Sequence, residues 1–265
     1  MNTIHQTAII EDGVVLGDNI TIGAYTILKN GVTIGDGTTI GSHTLIEGKT
    51  TIGKNNEIFS HSVLGSIPQD LKFNGEDVEL IIGDNNKIRE FTLFNPGTIG
   101  GGSKTVIGSN NLFMGYVHIA HDCIIGNNCI FANCATMAGH VEVDDFAVVG
   151  GLSAVHQFCK IGHSAMLGGG SIVVQDIPPF CVTEGNRATL RGLNLNGLRR
   201  RMENRSDIDE IKRAYKKLFD SNMAMQDAAK EILETNQNKY VRMLATFVSE
   251  TKRGIPTTAR KNRDE

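Results

Sequence analysis

The chain has 265 residues, enough to bury a substantial core, and a formal net charge of −3. Thirty glycines, four tyrosines and no tryptophan fit a thin solenoid filled with Ile, Val and Leu. No stretch approaches the roughly 20 apolar residues of a membrane span. The opening Met1-Asn2-Thr3-Ile4-His5 is not a signal peptide, and five cysteines without a C-x-x-C pair indicate reduced thiols in a cytoplasm.

From the first residues an apolar side chain recurs every sixth position, from Ile4 through Ile10, Leu16 and Ile22 to Leu64. The beat resumes at Ile107 and runs through Phe113, Ile119, Ile125 and Phe131 to Val173. A period of six belongs neither to a helix nor to simple strand alternation. It predicts a parallel β-helix in which each hexad is one short strand and a turn. Three hexads make an 18-residue coil, and coils stack about 4.8 Å apart. Between Leu64 and Ile82 the intermediate phased positions are Asp70 and Glu76, so 65–79 is expected to leave the solenoid as a loop. A slip of register between Phe94 and Ile107 places a second, glycine-rich excursion near 95–104. Pro178-Pro179 end the repeat, and the expected division is a β-helix over 1–185 and a helical domain over 186–265. Within the second part, Ser206-x-x-Asp209 reads as a capping box, followed by Ile208, Ile211, Tyr215, Leu218 and Phe219 at helical spacing. Two further helices are expected around Met225–Leu233 and Tyr240–Val248, all packed on the last coil, with Ile255–Glu265 frayed.

Charge is uneven. From Arg187 to Lys217 ten basic residues face four acids, which suits either a solvated helical face or a dock for an acidic partner or phosphates. Nucleic acid is a poor fit, because aromatics do not interleave with most of these cations.

Five of the eight histidines, His118, His121, His140, His156 and His163, fall close together. The 18-residue period stacks His121, Gly139 and Gln157 in one column and places Asp122 beneath His140. An imidazole, a backbone N–H and an amide about 5 Å apart along one edge match acyl transfer, which needs a base and an oxyanion donor. A lone histidine on a turn is ordinarily surface decoration, but five on successive coils shift the weight toward a site. Zinc is the rival use of the same histidines, since neighbouring coils can supply ligands. There is no G-x-S-x-G elbow, and the cysteines lack a partner pattern, so covalent catalysis has little support. A non-catalytic binding solenoid is the third reading.

Over nearly its whole length the chain also resembles the UDP-N-acetylglucosamine acyltransferase family that opens lipid A biosynthesis. The matching segments include Gln69-Asp70-Leu71-Lys72, Ala120-His121-Asp122-Cys123, Ala138-Gly139-His140-Val141, Ala154-Val155-His156-Gln157-Phe158-Cys159 and Gln175-Asp176-Ile177-Pro178-Pro179. The resemblance implies a left-handed β-helix and a homotrimer with sites between subunits. It implies transfer of an (R)-3-hydroxyacyl chain from acyl carrier protein to the sugar 3-position, with no cofactor and no metal. His121 would be the base, Asp122 its partner and Gly139 the oxyanion donor. Asp70 and Lys72 would contact the nucleotide sugar with Gln69 beside them in substrate binding, His118, His140, His156 and Gln157 would line the substrate cleft, and Gly169 would set acyl-chain length. Asn194, Arg200 and Arg201 would hold nucleotide or donor, and the basic segment would receive the carrier protein. Asn95-Pro96 stand where the family often has His-Arg, and Asn196 replaces a common glutamate. These departures raise a second acceptor, the 3-amino analogue of the nucleotide sugar. A zinc-dependent lyase on the same solenoid, and a related acyltransferase acting on an amino sugar later in the pathway, complete the alternatives.

Overall fold

The computed structural model describes residues 1–257. Two-residue strands recur with the hexads and assemble into three sheets of eleven, nine and eight strands, parallel along the coils. Up to Val173 the pairing register is 18 wherever no loop intervenes, as in Thr3↔Thr21 and His118↔Thr136. The phased side chains from Ile22 to Val173 point inward and form one continuous core, in which Phe94 meets Phe113 edge-on and Phe113 stacks on Phe131, each at 4.9 Å. The wall is a left-handed parallel β-helix.

The corners turn through residues with positive φ, among them Asn19, Asn55, Asp122 and His140. Asn, Asp and His tolerate that region better than other side chains. Corner amides buried by the stacking are satisfied by an internal asparagine ladder. Asn56 Oδ1 accepts from Asn86 N–H at 2.9 Å, and Asn86 Oδ1 from Asn111 N–H at 2.9 Å.

The chain leaves this frame twice. One excursion separates strands Val63–Leu64 and Glu79–Ile82, and a second separates Leu93–Phe94 from Lys104–Ile107. The second contains a 3-10 turn, Ile99–Gly101.

After Val173 an antiparallel hairpin, Cys181–Glu184 with Thr189–Leu193, extends the largest sheet. This hairpin, rather than the helices, covers the strand edge there, and the helices pack on it through Phe180, Cys181 and Leu190. They are α1 (Leu195–Arg201), α2 (Arg205–Tyr215), α3 (Met225–Thr235) and α4 (Lys239–Glu250). Two expectations change here. Helix α2 begins after Asn204 with no side-chain cap, so Ser206 is not its N-cap. The chain beyond α4 is not frayed at Ile255 and Pro256: both are buried, and Pro256 O accepts from Leu190 N–H at 2.8 Å. The rest of the expected frayed segment from 258 onward lies outside the described residues. Among the described residues no helix is long and apolar enough to cross a membrane.

Candidate active site

His121 and Asp122 occupy the corner that follows strand His118–Ile119. Asp122 takes φ 61°, which folds its carboxylate back beneath the neighbouring imidazole. Asp122 Oδ2 accepts from His121 Nδ1 at 2.7 Å and from Thr98 Oγ1 at 2.7 Å, while Oδ1 accepts from Thr98 N–H at 2.8 Å. Its own N–H donates to Thr105 Oγ1 at 2.8 Å. A carboxylate held this way accepts, so in the neutral His121 ring the proton sits on Nδ1 and the lone pair is on Nε2. Thr98 belongs to the second excursion, whose Gly101 packs on Asp122 with no room for a side chain. The glycine-rich stretch therefore seats the carboxylate. The spacing marks the loop but assigns Thr98, Gly101 and Thr105 no part in seating Asp122, because the fold of the excursion has no period to read.

Gly139 stands one coil above. A Cβ there would lie 2.5 Å from His121 Cε1 and 2.6 Å from Nε2, so this backbone directly faces the basic nitrogen. The Gly139 N–H donates to no acceptor among the described residues. His140 crosses His121 edge-on at 5.1 Å and stacks on Phe158 at 4.3 Å. Its Nε2 is 3.8 Å from Asp122 Oδ2. Burial holds the His140 pKa below the usual imidazole value, against the pull of the Asp122 and Asp70 charges. Burial likewise lowers His118, whose Nδ1–H donates to Leu93 O at 3.1 Å. Both rings are therefore neutral hydrogen-bonding groups at neutral pH.

The charge of Asp70, on the first excursion, acts on His140 through space. Asp70 is half-buried and accepts from Lys72 N–H at 3.0 Å, while Gln69 and Lys72 are exposed. Gln157 and His156 lie exposed two coils above His121 and Ala120. His156 Nδ1 meets Arg253 Nη2 at 3.2 Å, a partner that nothing in the repeat predicted.

Other expected site residues are not gathered at this corner of the protomer. Asn194 is buried, with Oδ1 capping α1 through Gly197 N–H at 3.0 Å and Nδ2 donating to Ser164 O at 3.1 Å. Arg201 bonds Ser164 Oγ at 3.1 Å and lies over the Phe146 ring, while Arg200 is exposed. Asn194 and Arg201 attend the corner at Ser164, one strand removed from the His121 column. Gly169 lies on the remaining corner, exposed, with only Gly151 O near a hypothetical Cβ. Between Gly139 and Gly169 runs the outward face of one sheet, bearing Thr136, Ala154 and Ile172.

His121, Asp122 and His140 also form a set whose donor atoms lie within 4.8 Å of one another and could hold a metal ion. The 2.7 Å contact between His121 and Asp122 is a hydrogen bond, which a cation shared by the two would have to replace. Burial pushes the thiols of Cys123 and Cys129 up to about 12 and that of Cys159 to about 11, so these three are not thiolate nucleophiles at neutral pH.

A hexapeptide solenoid with a carboxylate-supported histidine facing a glycine backbone one coil away is the architecture of a hexapeptide-repeat acyltransferase. A family profile described as "Bacterial transferase hexapeptide (six repeats)" matches residues 104–139. Another, "Udp N-acetylglucosamine O-acyltransferase; Domain 2", matches residues 176–256. The chain is 73% identical over 256 residues to the acyl-[acyl-carrier-protein]–UDP-N-acetylglucosamine O-acyltransferase of Aliarcobacter butzleri, covering 97% of this chain and 98% of that one. It superposes with a TM-score of 0.93 and 45% identity on the UDP-N-acetylglucosamine acyltransferase from Campylobacter jejuni, covering 97% and 100% of the two chains. With the Francisella novicida enzyme of that name the TM-score is 0.93 at 33% identity, over 97% and 95%. The chain belongs to the UDP-N-acetylglucosamine O-acyltransferase family.

Proposed function

We propose that this enzyme transfers an (R)-3-hydroxyacyl chain from acyl carrier protein to the 3-hydroxyl of UDP-N-acetylglucosamine, the first step of lipid A biosynthesis, in the cytoplasm. The observation that carries the chemistry is the bare Nε2 of His121, oriented through Asp122 and facing the Gly139 backbone. In this reading Nε2 takes the proton from the sugar 3-hydroxyl as its oxygen attacks the thioester carbonyl. The developing oxyanion accepts from Gly139 N–H. Collapse expels the carrier thiolate, which recovers the proton from the imidazolium, so His121 acts first as base and then as acid. Asp122 stabilises the imidazolium without itself being protonated.

The sugar nucleotide lies against Gln69, Asp70, Lys72, His118, His140, His156 and Gln157. The acyl chain follows the sheet face of Thr136, Ala154 and Ile172 toward Gly169. Asn194, Arg200 and Arg201 reach the nucleotide or donor from a neighbouring copy in a homotrimer, since within one protomer Asn194 and Arg201 attend another corner. Residues 1–185 would then carry catalysis, and the basic face of 186–265 would receive the acidic carrier. The relatives' names carry the O-acyl reaction, so the 3-amino acceptor and the lyase readings are not favoured.

The test offers (R)-3-hydroxyacyl carrier protein together with UDP-N-acetylglucosamine and its 3-amino analogue, with products read by mass spectrometry. An O-acyl product that disappears in His121→Ala supports the assignment. A dominant N-acyl product moves the acceptor, and turnover that survives in His121→Ala sinks the mechanism.

A further inference from the structure

Asn95 closes strand Leu93–Phe94 and is almost wholly buried, at 1% exposure. Its Nδ2 donates to Ser66 O at 2.9 Å and to Ile67 O at 3.2 Å. Two carbonyl partners fix which end of the amide is nitrogen, because oxygen turned toward them would find no donor. Asn95 Oδ1 is consequently buried without a hydrogen-bond partner. An unpaired buried acceptor costs stability, so what recommends the amide here is its nitrogen end, which holds two loop carbonyls that leucine would leave without this donor.

What the amide holds is the root of the first excursion. The Ser66 hydroxyl bonds the Glu47 carboxylate, which is paired in turn with Lys29. Pro68, with its restricted φ, follows, and then come Gln69 and Asp70. Bonds within the tip are local: Phe73 N–H to Asp70 O at 3.0 Å, Lys72 N–H to Asp70 Oδ1, and Asn74 Nδ2 to Lys72 O at 3.0 Å. None of these bonds ties the tip to the wall, whereas the Asn95 amide ties its root, so order in the tip depends on that root.

We propose that Asn95 is a positioning residue for acceptor binding: its side-chain amide clamps the carbonyls of Ser66 and Ile67 and so holds Gln69, Asp70 and Lys72 against the His121–His140 corner. Only the kinetic arm of this proposal rests on the acyl-transfer reading. It also reassigns a departure from the family pattern, since Asn95 faces the loop's backbone.

The variants are Asn95→Ala and Asn95→Leu in the full chain. Alanine already stands at the equivalent corner of the next two coils, Ala120 and Ala138, so the solenoid accommodates it. Hydrogen exchange of amides 66–73, followed by mass spectrometry, should accelerate about tenfold or more, while strands Val63–Leu64 and Leu93–Phe94 keep their protection. KM for UDP-N-acetylglucosamine should rise about tenfold with kcat within about threefold. Wild-type exchange over 66–73 in both variants would overturn the clamp. A fall confined to kcat with KM unchanged would overturn its role in acceptor binding. An inactive wild-type protein would count against the acyl-transfer reading alone, because the exchange arm needs no substrate.

Discussion

Gly139→Ala isolates the geometry on which the proposed chemistry depends. The Gly139 backbone lies outside the left-handed region, so alanine is conformationally allowed. The added methyl, however, would stand 2.6 Å from His121 Nε2, about 0.8 Å inside an ordinary contact of 3.4 Å. The barrier on the other side is firm, because Thr98 fixes the carboxylate through two bonds. Relief therefore comes from the imidazole swinging off Asp122 and off the position from which Nε2 meets a hydroxyl. Displacing a reacting group by about 1 Å costs about 100-fold, and losing a positioned base costs about 10²–10⁴. The expected result is a fall in kcat of about 10²–10³, or about 3–4 kcal/mol in the barrier, with a thermal midpoint close to wild type. Steady-state assays of Gly139→Ala, His121→Ala and the double variant measure it, and the double should be little worse than the worse single, since both remove one function. Undiminished kcat in Gly139→Ala would refute the argument, as would strictly multiplicative losses in the double.

Thr98→Val keeps the shape and the backbone bond to Asp122 but deletes the 2.7 Å hydroxyl bond. It should lower kcat about tenfold and cost about 1–2 kcal/mol in a urea melt. The pH dependence of stability follows from His118, His140 and His163, whose pKa values all lie below the usual value of 6.5, chiefly through burial. As pH falls through about 6.5 the unfolded chain takes up these protons before the folded one, so stability declines with acidification. Denaturant midpoints at pH 7.5 and 5.5 should show that decline, and His118→Asn should flatten it. Gly169→Met adds a side chain where the space is open. It should shift the preferred acyl donor to a shorter chain, read from a series of acyl carrier proteins, without lowering the thermal midpoint.

Much of this site was legible because a solenoid turns sequence distance into spatial distance. Once the coil is 18 residues, His121 must meet Gly139 and Asp122 must meet His140, wherever no loop intervenes. The rule does not extend past the last coil: it says nothing of Asn194, which caps α1 and bonds Ser164 O, or of α1 itself, too short for a clear periodic signal. It was also silent about Arg253, which reaches His156 only because the chain beyond α4 returns to the last coil through Asp176 and Gly254.

By itself the sequence determined the hexad wall, its two interruptions, the inward aliphatic stack and the histidine columns. Those follow from local spacing, repeated so often that a single register satisfies every coil. Tertiary structure alone decided what supports the base: Thr98 and Gly101 beneath Asp122, Thr105 on its N–H, Asn95 under the loop of Asp70, and the return of Arg253 to His156. Thr98, Gly101 and Arg253 belong to segments without periodicity, and Asn95 and Thr105 stand on the wall at the two ends of an excursion; what each meets is set by where buried polar groups find partners. No spacing rule encodes that search.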